Sequence, residues 1–190
     1  GGICYLTVMK FVNRILISRS LRKEIADNRD RLYGVALAWS GDSMVADDLV
    51  QETLILSLQR ATQLRDKSKL NAWMYSILSN CWKQYLRRMR PTVDIDEICV
   101  ISESDAEDGS SELEIVDRVR GAILKLPDAQ RQTVTLVDLA GFSYAEVAEI
   151  LEVPIGTVMS RLYTARRSLQ RVLVNMHPPG SGTTYLRGVK

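Results

Sequence analysis

Four arginines and no acidic residue occupy positions 156–173, near the C-terminal end of the chain. They are Arg161, Arg166, Arg167 and Arg171. A guanidinium group can hold a phosphate, and it can donate two hydrogen bonds to the major-groove edge of a guanine. These residue types therefore indicate recognition of DNA.

The segment around the arginines predicts a helix-turn-helix. Ser143 and Glu146 have the spacing of a capping box, which would open a short helix ending at Leu151. Residues 152–154 predict the turn, and a second helix is expected to begin at Thr157. The residues expected to bury its inner face are Val158, Leu162 and Leu169. The residues predicted to contact duplex DNA are Thr157, Ser160, Arg161, Thr164, Arg166, Arg167 and Arg171. A helical hairpin with a purely structural role is the alternative.

A second cationic surface is predicted nearer the N-terminus, on a loop and on a helix from Asn71 to Met89. Its residues are Arg65, Lys67, Lys69, Trp73, Asn80, Lys83, Arg87 and Arg88. Cations hold phosphates, while aromatic and amide groups stack on or recognise unpaired bases, so the set favours single-stranded nucleic acid. The alternative is that Trp73 and Trp82 belong to the core.

An acidic pair, Asp48 and Glu52, lies on a predicted helix that Ser43 can cap. Like charges four residues apart weaken an isolated helix by about a few tenths of a kcal/mol. The pair therefore suggests a cationic partner surface, the alternative being an ordinary solvated face near a helix N-terminus.

The composition predicts a mostly α-helical globular chain. Of 190 residues, 46% are hydrophobic and 25% charged, and only 11 glycines and 5 prolines interrupt them. Charge is segregated along the chain. Residues 1–91 hold 15 basic and 8 acidic residues, a net charge of +7. Residues 92–117 hold 10 acidic and no basic residues (−10), and residues 118–190 hold 10 basic and 5 acidic residues (+5). Two basic bodies joined by an acidic linker are expected to bind nucleic acid.

The sequence indicates neither an enzyme nor a metal or cofactor site. The three cysteines, Cys4, Cys81 and Cys99, form no CxxC pair, and we interpret them as typical of a reducing, cytoplasmic compartment. His177 is the single histidine, and no glycine-rich phosphate loop is present, so no small-molecule substrate is expected. Polar residues interrupt the apolar N-terminal stretch before it reaches the length of a membrane span.

Four motifs, by their order and spacing, resemble the extracytoplasmic-function sigma factors of bacterial RNA polymerase, over roughly Arg29 to Leu173. They are DDLVQETLILSL, NAWMYSILSNCWKQYLRR, LPDAQRQTVTLV and GFSYAEVAEILEVPIGTVMSRLYTARRSL. The resemblance implies an all-α fold with two small helical domains joined by an acidic flexible linker. The boundaries expected are an N-terminal extension of unknown role (1–27), a region-two helical bundle (28–91), the linker (92–117), a region-four helix-turn-helix domain (118–174) and a C-terminal tail (175–190).

The resemblance also implies the function of a sigma factor, which binds core RNA polymerase and directs promoter-specific transcription initiation. It implies that Asp48, Gln51 and Glu52 dock on the clamp helices of the β′ subunit, with the β subunit as a further contact. The second cationic surface would open the minus-ten element, with Asn80 lining a pocket for a flipped base, and the helix-turn-helix would recognise the minus-thirty-five element. Met159, Thr164 and the loop 64–70 depart from the common family pattern, so the promoter sequence does not carry over.

The resemblance implies one further partner, an anti-sigma factor, commonly membrane-anchored, that would hold the two domains closed. Control by expression level alone is the alternative. We expect the two basic bodies to cooperate through the polymerase rather than through each other. An autonomous helix-turn-helix regulator that binds operator DNA is the alternative function, although it would leave the first 90 residues without a task.

Overall fold

The computed structural model describes residues 19–89 and 112–174, and within these ranges it holds helices and no strand. The helices are α1 (Arg19–Asp27), α2 (Arg29–Ser40), α3 (Ser43–Arg60), α4 (Leu70–Met89), α5 (Glu112–Leu124), α6 (Asp128–Val134), α7 (Tyr144–Leu151) and α8 (Ile155–Val174). Short 3-10 turns at Ala61–Gln63 and Lys67–Lys69 connect α3 to α4, and a π turn at Thr135–Leu139 continues α6. The predicted all-α fold is confirmed.

In the N-terminal body, α1 to α4, α3 packs on α1, α2 and α4. Gly41, with φ of 70°, ends α2 in the left-handed conformation that glycine adopts without strain. Asp42, and not Ser43 as predicted, caps α3: its carboxylate accepts hydrogen bonds from the backbone N–H groups of Met44 (2.7 Å) and Val45 (3.2 Å). A carboxylate also suits the positive end of the helix dipole.

Two ends of the described ranges differ from the expected boundaries. Helix α1 lies in the segment assigned to an N-terminal extension, yet its residues Leu21 and Ile25, four apart, are buried in the core. Helix α5 begins at Glu112, inside the expected linker of residues 92–117. Most of that linker, together with Cys4, Cys99, His177 and the C-terminal tail, lies outside the described residues.

In the C-terminal body, α5 to α8, the predicted capping box is confirmed. The Ser143 backbone N–H donates to the Glu146 carboxylate (2.8 Å), and the Glu146 backbone N–H donates to the Ser143 hydroxyl (3.3 Å). The second helix of the motif begins at Ile155, two residues earlier than predicted, because Pro154 already fixes a backbone angle that suits a helix start. Asp128 does not cap α6 as predicted, since it is the first helical residue after Pro127.

Replacing Ser143 by alanine should lower the free energy of unfolding by about 1 kcal/mol, because the first turn of α7 then loses its side-chain acceptor. Urea unfolding followed by circular dichroism measures the change. Ser168→Ala, a half-buried serine outside any helix cap, is the control. An equal loss in both variants would contradict a specific role for the cap.

The same cap predicts a pH dependence. The hydrogen bonds from Ser143 lower the pKa of Glu146 below its ordinary value. A carboxyl group with a lowered pKa in the folded state stabilises the fold above its unfolded pKa of about 4.3, and this stabilisation is lost as the pH falls through the folded pKa. The stability difference between the wild type and Glu146→Gln should therefore shrink on acidification. A difference that stays constant down to about pH 3 would contradict this prediction.

The two bodies share one hydrophobic core in this structure, and their cooperation through the polymerase stays a prediction. Helix α4 packs on α7, while α2 packs on α5 and α6. Trp39 and Met74 of the N-terminal body belong to the same buried cluster as Leu136 and Ile150 of the C-terminal body, and none of the four is more than 1% exposed. The helix-turn-helix is therefore held at a fixed position on the N-terminal body.

Candidate nucleic-acid and protein interfaces

Helix α8 presents its cationic residues to solvent as predicted. Val158 and Leu162 are buried and Leu169 packs against them, which fixes the inner face of the helix. The exposed members of the predicted set are Ser160, Thr164, Arg166, Arg167 and Arg171, and the half-buried members are Thr157 and Arg161. An amphipathic helix seated on α6 and α7 in this way leaves its basic side free to enter a groove of DNA.

One of the four arginines is held by a carboxylate. The Arg166 guanidinium forms a two-point contact with Asp138 of the π turn, including a hydrogen bond from Nε to Oδ2 of 3.2 Å. This hydrogen bonding raises the pKa of Arg166, so the group stays charged. Because both side chains are about half exposed, the contact orients the guanidinium and adds little stability.

Sequence reasoning missed two residues on the outward face of α8. Met159 and Tyr163 are 49% and 69% exposed, and together with Arg167 they line an open groove. They are four residues apart and out of phase with the buried positions, and this spacing is the signal in the sequence that marks them as outward-facing. Exposed apolar side chains on a basic helix suit contact with thymine methyl groups.

The loop before α4 is held in shape by Asp66. Its carboxylate accepts hydrogen bonds from the backbone N–H (2.9 Å) and the hydroxyl (2.7 Å) of Ser68, and these bonds lower the pKa of Asp66. The neighbouring cations Arg65, Lys67 and Lys69 are exposed, as predicted. The loop therefore presents three positive charges from an ordered backbone.

The predicted residues of α4 differ in exposure and in the side of the helix that they occupy. Trp73, Asn80 and Arg87 recur every seven residues, so they share one side of the helix, and neighbouring members lie about 10 Å apart along its axis. Asn80, Arg87 and Arg88 are exposed, while Trp73 and Lys83 are half-buried. Trp82 is buried, as the core alternative predicted for it.

The predicted acidic residues of α3 lie at the surface, and two exposed apolar residues extend this surface along the helix. Asp48 and Gln51 are exposed and Glu52 is half-buried, whereas the adjacent Asp47 is held by Arg29 (3.2 Å). Sequence reasoning missed Ile55 and Leu58, one to two turns further along the helix, which are 54% and 37% exposed. The face combines negative charge with apolar surface, which is typical of a protein-binding surface.

Residues 19–89 and 112–174 contain no group of three histidine, cysteine or acidic side chains able to hold a metal ion. No helix in these ranges is both long enough and apolar enough to span a bilayer.

Comparison with known proteins identifies the family. The family model for sigma-70 region 2 matches residues 25–92, and that for sigma-70 region 4 matches residues 117–169. The ECF RNA polymerase sigma factor EcfG of Rhodopseudomonas palustris is 35% identical over 158 residues, covering 83% of this chain and 87% of that protein. The chain belongs to the extracytoplasmic-function sigma factors. The sigma factor SigM of Mycobacterium tuberculosis (strain H37Rv) is 31% identical to this sigma factor over 145 residues. The match covers 75% of the present chain and 71% of SigM.

Solved structures agree with the architecture of this sigma factor. The sigma factor RpoE of Bartonella quintana, solved with the anti-sigma factor NepR, matches with a TM-score of 0.66 and 28% identity, over 82% of this chain and 98% of that chain. CnrH, solved with the cytosolic domain of CnrY, matches in fold with a TM-score of 0.62 and 21% identity. The match covers 88% of this chain and 96% of that chain. The region 2 match ends just after α4, and the region 4 match runs from α5 into α8.

Proposed function

We propose that this sigma factor binds core RNA polymerase through α3, and promoter DNA through two separate surfaces, one on the loop and helix α4 and one on α8. The observation that supports the division is the segregation of charge: the exposed face of α3 is acidic, whereas both other surfaces are cationic. A surface that repels DNA and two that attract it suit a protein that links an enzyme to a promoter.

Polymerase binding is assigned to Asp48, Gln51 and Glu52, extended by Ile55 and Leu58. The carboxylates would meet basic residues on the clamp helices of the β′ subunit, and the apolar pair would add buried area. The β subunit is proposed as a further contact of the holoenzyme.

Transcription initiation takes place where polymerase and promoter meet, so we place this function in the bacterial cytoplasm. We assign no catalytic role to the sigma factor itself.

Minus-ten recognition is assigned to the predicted loop and α4 residues. Arg65, Lys67 and Lys69 would hold the phosphates of the opened strand, and the half-buried Trp73 has a ring face on which a base could stack. Asn80, two turns further on the same side, would recognise a flipped base by hydrogen bonds.

Minus-thirty-five recognition is assigned to α8. Thr157, Ser160 and Thr164 offer hydroxyl groups near the start of the helix, and the arginines provide both base and phosphate contacts. Met159 and Tyr163, on the same outward side, would distinguish thymine by its methyl group.

An anti-sigma factor is proposed as a regulatory partner, supported by the similarity to RpoE of Bartonella quintana, which was solved with one.

Run-off transcription with purified core polymerase tests the function. We expect a specific transcript when this sigma factor is added to core enzyme and none with either component alone. An autonomous regulator would instead bind duplex operator DNA tightly by itself and give no transcript with core enzyme.

Alanine variants of Arg161, Arg166 and Arg167 test the α8 assignment. Loss of a two-point base contact should cost about 1–3 kcal/mol at one base pair, whereas loss of a phosphate contact should weaken all sequences and lower the salt slope by about one. We expect at least one of the three to be base-specific on a panel of minus-thirty-five mutants. Arg22→Ala, at an exposed arginine on α1, is the control. Unaltered binding by all three variants would refute the assignment.

A further inference from the structure

The arginines of α8 differ in whether a carboxylate compensates their charge. Within residues 19–89 and 112–174, no carboxylate forms an ion pair with Arg161, Arg167 or Arg171. The Arg166 guanidinium, in contrast, meets the Asp138 carboxylate at two points. Sequence-independent binding to phosphates depends on net positive charge, because it is driven by the release of counterions from DNA. A compensated arginine is therefore poorly suited to that role and keeps only its directional hydrogen bonds.

The contact with Asp138 covers one edge of the Arg166 guanidinium. Nε donates to Oδ2 (3.2 Å) and Nη2 donates to Oδ1, so the carboxylate occupies the edge that Nε and Nη2 share. The guanidinium is planar and holds five N–H donors in a fixed fork. Nη1 and the second hydrogen of Nη2 lie on another edge, where they can donate together to O6 and N7 of a guanine. Asp138 thus fixes the plane of the group and leaves a base-binding edge without a bond to the carboxylate.

Arg166 lies in a row of outward side chains on α8. Met159, Tyr163 and Arg166 have the spacing i, i+4 and i+7, so they share one side of the helix. All three line one open groove together with Tyr144, the first residue of α7. Arg166 follows Tyr163 by about 4.5 Å along the helix axis. The oriented guanidinium therefore continues the row that is proposed to contact base edges.

The backbone that carries Asp138 is well anchored. Asp138 belongs to the π turn Thr135–Leu139, in which Thr135 and Leu136 are buried. The Phe142 N–H donates to the Leu136 carbonyl (3.0 Å), which closes the chain on the far side of Asp138. An arginine that is oriented before it binds loses less conformational entropy on binding than a mobile one. The turn therefore provides a fixed support for the guanidinium.

We infer that Asp138 is a positioning residue for base recognition, which fixes Arg166 so that its remaining edge binds a guanine of the minus-thirty-five element. The inference rests on the proposed function, because it takes α8 to be the helix that enters the major groove of that element. Asp138 itself repels DNA phosphates. It therefore lowers the affinity for all sequences while it raises the preference for one base pair.

The test uses the holoenzyme, formed from this sigma factor and purified core polymerase. The wild-type holoenzyme selects duplexes from a library randomised over the length of a promoter, and single-base variants of the enriched minus-thirty-five element are then the probes. In both Arg166→Ala and Asp138→Asn, the preference for guanine should fall at least about fivefold at the same base pair, the lower end of the range for a two-point base contact. Preferences at the other base pairs should remain.

The two variants should differ in their affinity for probes that lack this guanine. Arg166→Ala removes a positive charge and Asp138→Asn removes a negative one, so this affinity should fall in the first variant and rise in the second. In a chain with both changes, the guanine preference should be no lower than in Arg166→Ala alone, because Asp138 acts through Arg166. A purely structural role of Asp138 would not produce this pattern.

Asp117→Asn is the matched control. Asp117 forms an exposed ion pair with Arg120 on α5 (3.2 Å), so this variant makes the same charge change in the same body, outside α8 and the π turn. Its guanine preference should equal that of the wild type. Urea unfolding should give similar midpoints for Asp138→Asn and Asp117→Asn, because both ion pairs are largely exposed to solvent.

Three results would overturn the inference. Asp138→Asn could keep the full guanine preference. It could also weaken binding to every probe by the same factor, which is the result expected of a structural role. Arg166→Ala could leave every base preference unchanged. A wild-type holoenzyme that enriched no sequence would be a separate result, since it would refute the proposed function itself and this inference with it.

Discussion

Replacing both Asp48 and Glu52 by lysine should abolish binding to core RNA polymerase and therefore all promoter-specific transcription. Each change turns a proposed attraction to basic residues into a repulsion, and like charges placed together at an interface cost several kcal/mol. We expect an affinity loss of at least about a hundredfold, which corresponds to roughly 2.7 kcal/mol. The fold should persist, because Asp48 is exposed and Glu52 is only half-buried.

The matched control makes the same charge change elsewhere on the N-terminal body. Asp27 and Asp30 are exposed on α1 and α2, and their replacement by lysine alters net charge equally at positions outside α3. Native gel shift or fluorescence anisotropy with purified core enzyme measures binding. If the Asp48, Glu52 variant bound core enzyme as the control does, α3 would not be the docking face.

The second large effect concerns stability. Trp39→Ala should lower the free energy of unfolding by about 3–5 kcal/mol, the range for removal of a large aromatic side chain from a core. Trp39 is fully buried, contacts Trp82 with ring centroids 6.5 Å apart, and donates to Thr135 across the two bodies. Because this core is shared, we expect one cooperative unfolding transition at a lower urea midpoint than that of the wild type. Circular dichroism during urea titration measures it.

Trp73→Ala is the control for side-chain size, since Trp73 is only half-buried beside an open groove. Its loss should cost clearly less stability than the loss of Trp39. Equal effects of the two substitutions, or two separate transitions in the wild type, would contradict a core shared by both bodies.

The helices themselves could be predicted because each rests on local signals. The Ser143 and Glu146 spacing gave the start of α7, and the Val158 and Leu162 periodicity gave the inner face of α8, as the structure confirms. The cap of α3 could not be decided in the same way. Asp42 and Ser43 are both good capping residues, and the choice depends on backbone angles, which are extended at Asp42 and helical from Ser43 onward.

Contacts between the bodies could not be predicted from periodicity, which shows that a face is apolar but not what covers it. Trp39 and Trp82 have the spacing of core residues, yet their acceptors Thr135 and Asp128 lie 96 and 46 positions away. The same limit applies to the candidate interfaces. The charge of Arg166 was evident from sequence, whereas its contact with Asp138 required the fold.

The π turn at Thr135–Leu139 restricts the length of the chain as well as its composition. Here the Ala140 N–H donates to the Thr135 carbonyl (2.9 Å), five residues back, so the turn holds one residue more than an α-helical turn. Deletion of one residue would restore a regular α-helical turn and remove one position from the segment that joins Thr135 to α7. Evolution in this segment should therefore accept substitutions far more readily than single-residue insertions or deletions.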